Sequence, residues 1–133
     1  MNDTDIGNTN GTGVIDRQER AIAQRFCEGT ERILSTVGSE LRTDGRFGKT
    51  IVCMTDRRLL AVECSEEPGT IALEIPATEI LTLQRRTFHG ACRLDIDTVD
   101  RTIPVVLFSK SRTRQVNEFI ETAHRDLFAD RQQ

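Results

Sequence analysis

Apolar residues recur at every second position through the middle of this chain and at helical spacing near its end. Ile71, Leu73 and Ile75 alternate with polar or small residues, and the segment 92–96 repeats the pattern. A period of two predicts strands with one buried face. We therefore predict seven strands, at residues 32–41, 46–54, 58–64, 70–75, 78–86, 91–97 and 101–108. Because the links between them are short and rich in turn formers, consecutive strands are expected to pair antiparallel.

One proline interrupts this pattern. Pro104 falls inside the last predicted strand. Proline has no N–H to donate to a strand ladder, and in sheets it is confined to edges and bulges. The last strand is therefore predicted to be an edge strand or to carry a bulge at Pro104.

The final segment has a different period. A broad apolar stripe predicts an amphipathic helix over residues 111–130, with Ser111 as its N-cap. The stripe contains Val116, Phe119, Ile120, Ala123, Leu127 and Phe128. Because the only surface available to bury it is the sheet, the predicted fold is mainly β with α. It is a seven-stranded antiparallel barrel or bent sandwich whose open end is capped by this helix.

The chain before the first strand divides into two parts. Residues 1–13 are polar and without periodicity, which predicts disorder and no signal peptide. Residues 14–29 predict a short helix, with Asp16 as cap or first-turn acid and Gly29 as its end. The domain proper is predicted to span residues 31–130.

The charge balance disfavours nucleic acid as a partner. Residues 1–31 carry six acids and three arginines, which accounts for the whole net charge of −3 and leaves the remainder neutral. A neutral domain lacks the basic surplus that drives nucleic-acid binding, and the absence of Tyr and Trp removes the best stacking platforms. The longest apolar run is far shorter than the ~20 residues of a membrane span.

The cysteines and acidic pairs predict no cofactor, no metal and no catalytic group. Cys27, Cys53, Cys64 and Cys92 form no Cys-x-x-Cys pair, so they are predicted to be reduced, buried thiols of a cytoplasmic protein. Asp95 and Asp97 alternate with apolar residues and are predicted to lie on a solvated outer face. His89 and His124 are predicted to be surface residues. A small-molecule-binding barrel enzyme is disfavoured because no acid–base pair is identifiable.

Basic residues near the first two hairpins are the candidate site. If they converge at one rim, they are expected to bind an anionic headgroup, each charge contributing ~1 kcal/mol near a membrane surface. The alternative is scattered surface charge balanced by neighbouring acids. The Thr55-Asp56 turn is predicted to be tightened mainly by the Asp56 side chain, with Arg58 pointing away from the core face that holds Leu59. The candidate residues are Arg42, Arg46, Lys49, Arg57 and Arg58.

Four short segments resemble a known superfamily when taken with the order of seven strands and a helix. They are Glu31-Arg32-Ile33-Leu34, Asp44-Gly45-Arg46-Phe47-Gly48, Thr55-Asp56-Arg57-Arg58-Leu59-Leu60 and Ile75-Pro76-Ala77-Thr78-Glu79-Ile80. The order resembles pleckstrin-homology (PH-like) domains, including bacterial PH-like and GRAM-like ones. The segments are similar to the N-terminal cytoplasmic domain ahead of some bacterial ABC exporters with fused permease and ATPase parts. The resemblance covers about residues 31–128, and departs from the pattern where Ile51 and Val52 stand in place of an aromatic residue.

This resemblance implies a non-catalytic interaction or regulatory domain at the inner face of the membrane. Its partners would be the transmembrane or nucleotide-binding domains of its own transporter, a partner protein, or anionic lipid headgroups. Transport and ATP hydrolysis would lie outside this chain. The alternative is a stand-alone bacterial PH-like protein that binds anionic lipid or assembles with itself.

Overall fold

The computed structural model describes residues 17–41, 47–65, 69–88 and 90–128. The segment predicted to be disordered, residues 1–13, and the predicted cap Asp16 lie outside these described residues. A helix, α1, covers residues 17–24, and a second, α2, covers Thr113–Ala123. The seven strands are β1 Ile33–Leu41, β2 Phe47–Thr55, β3 Arg58–Glu63, β4 Thr70–Pro76, β5 Thr82–Phe88, β6 Ala91–Asp97 and β7 Thr102–Ser109.

All seven strands belong to one antiparallel sheet, in the order β4-β3-β2-β1-β7-β6-β5. Among the residues that the structure describes, the pairing of β1 with β7 is at Leu41 and Leu107. The Ser39 hydroxyl reinforces this junction by donating a hydrogen bond to the Leu107 carbonyl. The sheet therefore consists of two half-sheets, β1–β4 and β5–β7, which supply a common core. The predicted fold class is confirmed.

The second helix closes this core. Val116, Phe119 and Ala123 of α2 are buried, as is Phe128 in the π-helical turn His124–Phe128 that follows. The helix begins at Thr113, after a 3-10 turn at Lys110–Arg112. The prediction that Ser111 is the N-cap is wrong, because no side chain caps α2. The Ser111 hydroxyl instead lies 2.8 Å from that of Ser109.

The first helix builds a second, smaller core on the outer face of the first half-sheet. Ala23 of α1 is buried with apolar residues of β1, β2 and β3, including Ile51, Leu60 and Val62. Strands β2 and β3 are therefore buried on both faces, which explains the unbroken apolar run from Ile51 to Met54. The described helix ends at residue 24, earlier than predicted. Gly29 lies in the following loop with φ 52°, a conformation that glycine adopts without strain.

Two details of the sheet differ from a regular ladder. The predicted strand 78–86 begins too early, since Ala77–Glu79 forms a 3-10 turn and β5 starts at Thr82. Strand β7 lies between β1 and β6, so it is not an edge strand. It carries a bulge instead, because Leu94 pairs with Val106 whereas Asp95 pairs with Pro104. Of the two alternatives for Pro104, the bulge is confirmed.

Candidate functional site

Two of the predicted basic residues, Lys49 and Arg57, lie far apart in the structure. Lys49 lies near the start of β2, and Arg57 lies in the turn that follows it. The extended strand from Lys49 to Thr55 covers six residue steps, or about 20 Å at ~3.3 Å per residue. Arg42 and Arg46 lie outside the described residues. Lys49 and Arg57 therefore do not share a rim, and anion binding at the individual residues stays a prediction.

Lys49 is an ion-pair partner within the domain. Its Nζ lies 3.8 Å from Glu19 Oε2 on α1 and 3.5 Å from Glu40 Oε1 on β1. Arg57 is exposed, and its Nη2 donates to the Thr30 hydroxyl at 2.7 Å. Of the candidate residues that the structure describes, Arg57 is therefore the one directed to solvent.

Arg58 is buried in a network that ties three segments together. Its side chain lies on the face opposite Leu59, as predicted, but the segment after α1 covers it and leaves it 9% exposed. It donates to both carboxylate oxygens of Glu31, at 2.8 and 2.9 Å, and to Glu74 Oε2 at 2.8 Å. It also donates to the Phe26 carbonyl at 2.9 Å. Arg58 therefore joins the end of the α1 segment to β3 and β4.

The pKa values reflect this pairing. The hydrogen bond from Arg58 lowers the pKa of Glu31 to about 2, against the opposing effect of burial. The same hydrogen bond raises the pKa of Arg58. Both groups are charged at neutral pH, and their charges compensate each other. Arg58 is a structural residue in this arrangement and has no charge left to offer a ligand.

The turn between β2 and β3 is built by Thr55. Its Oγ1 accepts the N–H of Arg57 at 3.1 Å and of Arg58 at 3.0 Å, and it donates to Glu31 Oε2 at 2.6 Å. The carboxylate of Asp56 instead accepts the N–H of Arg32 at 3.0 Å. The prediction that Asp56 tightens this turn is therefore wrong. Asp56 fastens the chain leading into β1.

Asp95 corrects another prediction. It is 0% exposed, although its strand face is the outer one. Arg93 Nε donates to Oδ1 at 2.6 Å, and Arg86 Nε donates to Oδ2 at 2.8 Å. Arg86 and Arg93 are cross-strand partners, and their side chains cover the carboxylate between them. Asp97 accepts hydrogen bonds from Gln84 at 2.6 Å and Thr102 at 2.7 Å. The two carboxylates therefore belong to separate structural contacts.

His124 links the turn after α2 to the edge of the second half-sheet. Its Nε2 accepts the Leu83 N–H at 3.2 Å and lies 3.0 Å from the Thr82 hydroxyl. Burial lowers its pKa, so the neutral form that accepts this bond is favoured. His124, predicted to be a surface residue, is half-buried and makes these contacts instead. His89 lies outside the described residues.

The four cysteines are free thiols, as predicted. Cys53 and Cys92 are buried, whereas Cys27 and Cys64 are half-buried. Burial raises the pKa of Cys53 to about 12 and also raises the pKa of the other three thiols. The thiols are protonated at neutral pH and act as small apolar side chains.

A cleft at one end of the sandwich is the clearest surface feature that the sequence did not predict. Its volume is about 350 Å³, and it lies between the link from β4 to β5 and the link from β6 to β7. Leu81 and Val99 line it and are 46% and 83% exposed. The lining residues are Ile75, Thr78, Glu79, Leu81, Thr98, Val99, Asp100, Arg101 and Ile103. The sequence signal was Val99, an apolar residue in a turn where polar residues are usual.

Within the described ranges, no three His, Cys, Asp or Glu side chains are grouped so as to hold a metal ion. No helix in the same ranges is long and apolar enough to cross a membrane. Comparisons of the chain with family models, curated proteins and solved structures give no match. The fold and the cleft together define, over the described residues, a mainly β domain with two packed helices and a cleft of mixed polar and aliphatic lining.

Proposed function

We propose that this chain is a non-catalytic PH-like interaction domain, the N-terminal cytoplasmic regulatory part of a bacterial ABC exporter-type protein. Transport and ATP hydrolysis would take place in other parts of the polypeptide, at the inner membrane. The observation that carries the proposal is the cleft lined by Leu81 and Val99. Single exposed aliphatic side chains are ordinary, but two that line one concave surface together suit protein docking.

The chemistry of the cleft indicates what docks there. Ile75 is buried and Ile103 half-buried, so the lining offers apolar contacts below the exposed Leu81 and Val99. Fully burying an aliphatic side chain of this size contributes about 1.5–3 kcal/mol. The charged lining residues are Glu79, Asp100 and Arg101, a net negative set. The occupant we propose is an apolar side chain next to a basic group, on a neighbouring domain of the same transporter.

The first test is the reading frame beyond Gln133. The proposal expects it to continue into membrane spans and an ATP-binding domain. A stop codon at this point would overturn the transporter assignment.

The second test is binding of this chain to the remainder of that polypeptide, measured by titration of a fluorescently labelled sample. Val99→Asp is expected to weaken binding about ten-fold or more, because a charge would have to be buried against the docked side chain. Ile71→Asp is the matched control, since Ile71 is also exposed, at 37%, but does not line the cleft. Equal effects of the two substitutions, or no binding by the unaltered chain, would contradict docking at the cleft.

The second candidate is a stand-alone PH-like protein that binds anionic lipid. The observation that favours it is the exposed Arg57 beside the exposed Arg32. Sedimentation with anionic vesicles at low and high salt tests this candidate. It predicts salt-sensitive binding that falls on Arg57→Gln and stays unchanged on Arg114→Gln, because Arg114 is an exposed charge of α2 outside this turn.

A further inference from the structure

A second cavity lies between α1 and the start of β1. Its volume is about 200 Å³, and its lining residues are Arg17, Arg20, Leu34, Ser35 and Thr36. Both arginines are exposed, and the two hydroxyl residues are half-buried. The polar side chains that the described part of the chain contributes to this lining are two guanidinium groups and two hydroxyls. Such a lining offers hydrogen-bond donors and positive charge to whatever enters it.

The helix places both arginines on one side. Residues three apart in a helix are neighbours on its surface, so Arg17 and Arg20 point in similar directions. Arg20 Nη2 donates to the Ile33 carbonyl at 2.9 Å, which holds its guanidinium over β1. A guanidinium has five N–H donors, so this bond leaves others for a ligand.

Glu19, the described acid next to Arg20 in sequence, is engaged elsewhere. Glu19 is buried against Gly38, with its Oε2 at 3.8 Å from both Lys49 Nζ and Arg112 Nη1. Those two cations compensate its charge. Glu19 therefore anchors α1 to the sheet and lies outside the lining of the cavity.

The backbone of β1 adds a further donor. Leu34 is an extra residue in the ladder, because Ile33 pairs with Thr55 and Ser35 already pairs with Met54. Bulges of this kind are frequent beside binding sites. In an antiparallel ladder, successive residues direct their N–H groups to opposite sides, so one of Ser35 and Thr36 directs its N–H away from β2. Among the described residues, β7 pairs with β1 only at Leu41, so no strand takes up that N–H.

We propose that this cavity binds a phosphate group, with Arg17 and Arg20 as its charged ligands. A phosphate has several acceptor oxygens around one centre, which suits two guanidinium groups, two hydroxyls and one strand N–H better than a planar carboxylate does. The Leu34 side chain contacts the carbon atoms next to the phosphate. The phosphate belongs to a small soluble phosphomonoester or to a lipid headgroup, which offer the same chemistry. The inference is independent of docking at the cleft.

The test is a titration of the complete 133-residue chain with inorganic phosphate and with glycerol 3-phosphate, followed by amide NMR. Saturable shifts are expected at Ser35 and Thr36. Arg17→Gln is expected to weaken binding about ten-fold, since one charge-assisted bidentate contact is lost. Arg114→Gln is the matched control, because this α2 side chain is 89% exposed and remote in sequence from the cavity. Shifts absent at Ser35 and Thr36, or equal losses in both variants, would overturn the site.

Two further measurements keep the test decisive. Arg20 also contacts the backbone of β1, so binding by Arg20→Gln is compared only if its unfolding curve matches that of the unaltered chain. Thr36→Val removes a hydroxyl ligand at nearly constant side-chain volume. Vesicles carrying a phosphomonoester lipid distinguish the two sources. Binding to vesicles but not to glycerol 3-phosphate assigns the site to a headgroup, and the reverse assigns it to a soluble molecule. Binding to neither overturns the proposal.

Discussion

At the scale of single residues, the pair Glu31–Arg58 is the contact whose loss should cost most. Removing the charge of Glu31 leaves the buried Arg58 with the more exposed Glu74 as its remaining close acidic partner. Breaking a buried pair by altering one partner typically costs 3–5 kcal/mol. We expect Glu31→Gln to lower the free energy of unfolding by about 3 kcal/mol, measured by urea denaturation. Glu28→Gln is the control, because Glu28 is exposed and lies 3.9 Å from Arg58. A loss below about 0.5 kcal/mol for Glu31→Gln would contradict this account.

The pair Glu31–Arg58 also predicts how the free energy of unfolding depends on pH. The pKa of Glu31 falls from 4.5 to about 2 on folding, so the unfolded chain binds a proton first as the pH drops. The stabilisation is therefore complete above about pH 4.5 and is lost as the pH falls toward 2. Its size, from the difference between those two values, is about 3 kcal/mol. We expect the difference in unfolding free energy between the unaltered chain and Glu31→Gln to shrink across that range. A difference that stays constant down to pH 2 would exclude this linkage.

The residue-scale errors of the sequence predictions have a common cause. Thr55 and Asp56 are both good turn formers, and only the position of Glu31 decides that the Thr55 hydroxyl holds the turn. Asp95 was correctly placed on the outer face, but its burial depends on arginines of two strands folding over it. The contacts Thr55–Glu31 and Arg86–Asp95 join residues on different segments of the chain. Local pattern carries no information about them.

At the scale of elements, the docking of α1 depends on the absence of a side chain at Gly38. A Cβ built there would lie 2.7 Å from Glu19 Cδ, so the carboxylate would have to move away from Lys49 and Arg112. We expect Gly38→Ala to cost about 1–2 kcal/mol and to raise amide exchange in residues 17–24. In a double-mutant cycle, Gly38→Ala should change the free energy of unfolding very little when Glu19→Ala is also present, because the obstructing carboxylate atoms are gone. Simple additivity of the two losses would contradict the contact.

The junction between the turn after α2 and β5 should weaken in mild acid. The pKa of His124 is lower in the folded chain than its ordinary value of 6.5, so the unfolded state takes up a proton more readily. Stability is therefore expected to fall as the pH drops below about 6.5, until the folded pKa is passed. Protonation turns the Nε2 acceptor into a donor that faces the Leu83 N–H. His124→Gln should remove this part of the pH dependence of the melting temperature. His89→Gln should not, and it controls for the other histidine.

Element types were predictable from the sequence because hydrophobic period is a local property. The seven strands and α2 follow from this period. The start of the fifth strand was predicted too early, because the period does not reveal the 3-10 turn after Pro76. The separation of Lys49 from Arg57 was visible in the sequence. Lys49 lies near the start of the nine-residue strand β2 and Arg57 in the turn after it, and a strand of that length keeps its ends far apart. The cleft depends on how the two half-sheets meet, which the period does not determine.

At the scale of the whole molecule, Phe119 is predicted to hold the two half-sheets together. Phe119 is fully buried, in a core to which all seven strands contribute. We expect Phe119→Ala to cost about 3–5 kcal/mol, because it leaves a cavity between the layers. Unfolding should remain a single transition, with amides of both half-sheets losing protection together in native-state hydrogen exchange. Independent loss of one half-sheet would show that the core does not couple them.

The junction between β1 and β7 also has a consequence for the route by which the chain folds. Each half-sheet is joined by short links, so its strands can find one another locally and quickly. Leu41 and Leu107, by contrast, are separated by most of the domain's sequence. The chain loses the entropy of closing that long loop before the contacts between the half-sheets can compensate for it. The rate of folding should therefore be governed by the meeting of two preformed hairpin assemblies. In that case, α2 packs last and stabilises the contact between the two half-sheets.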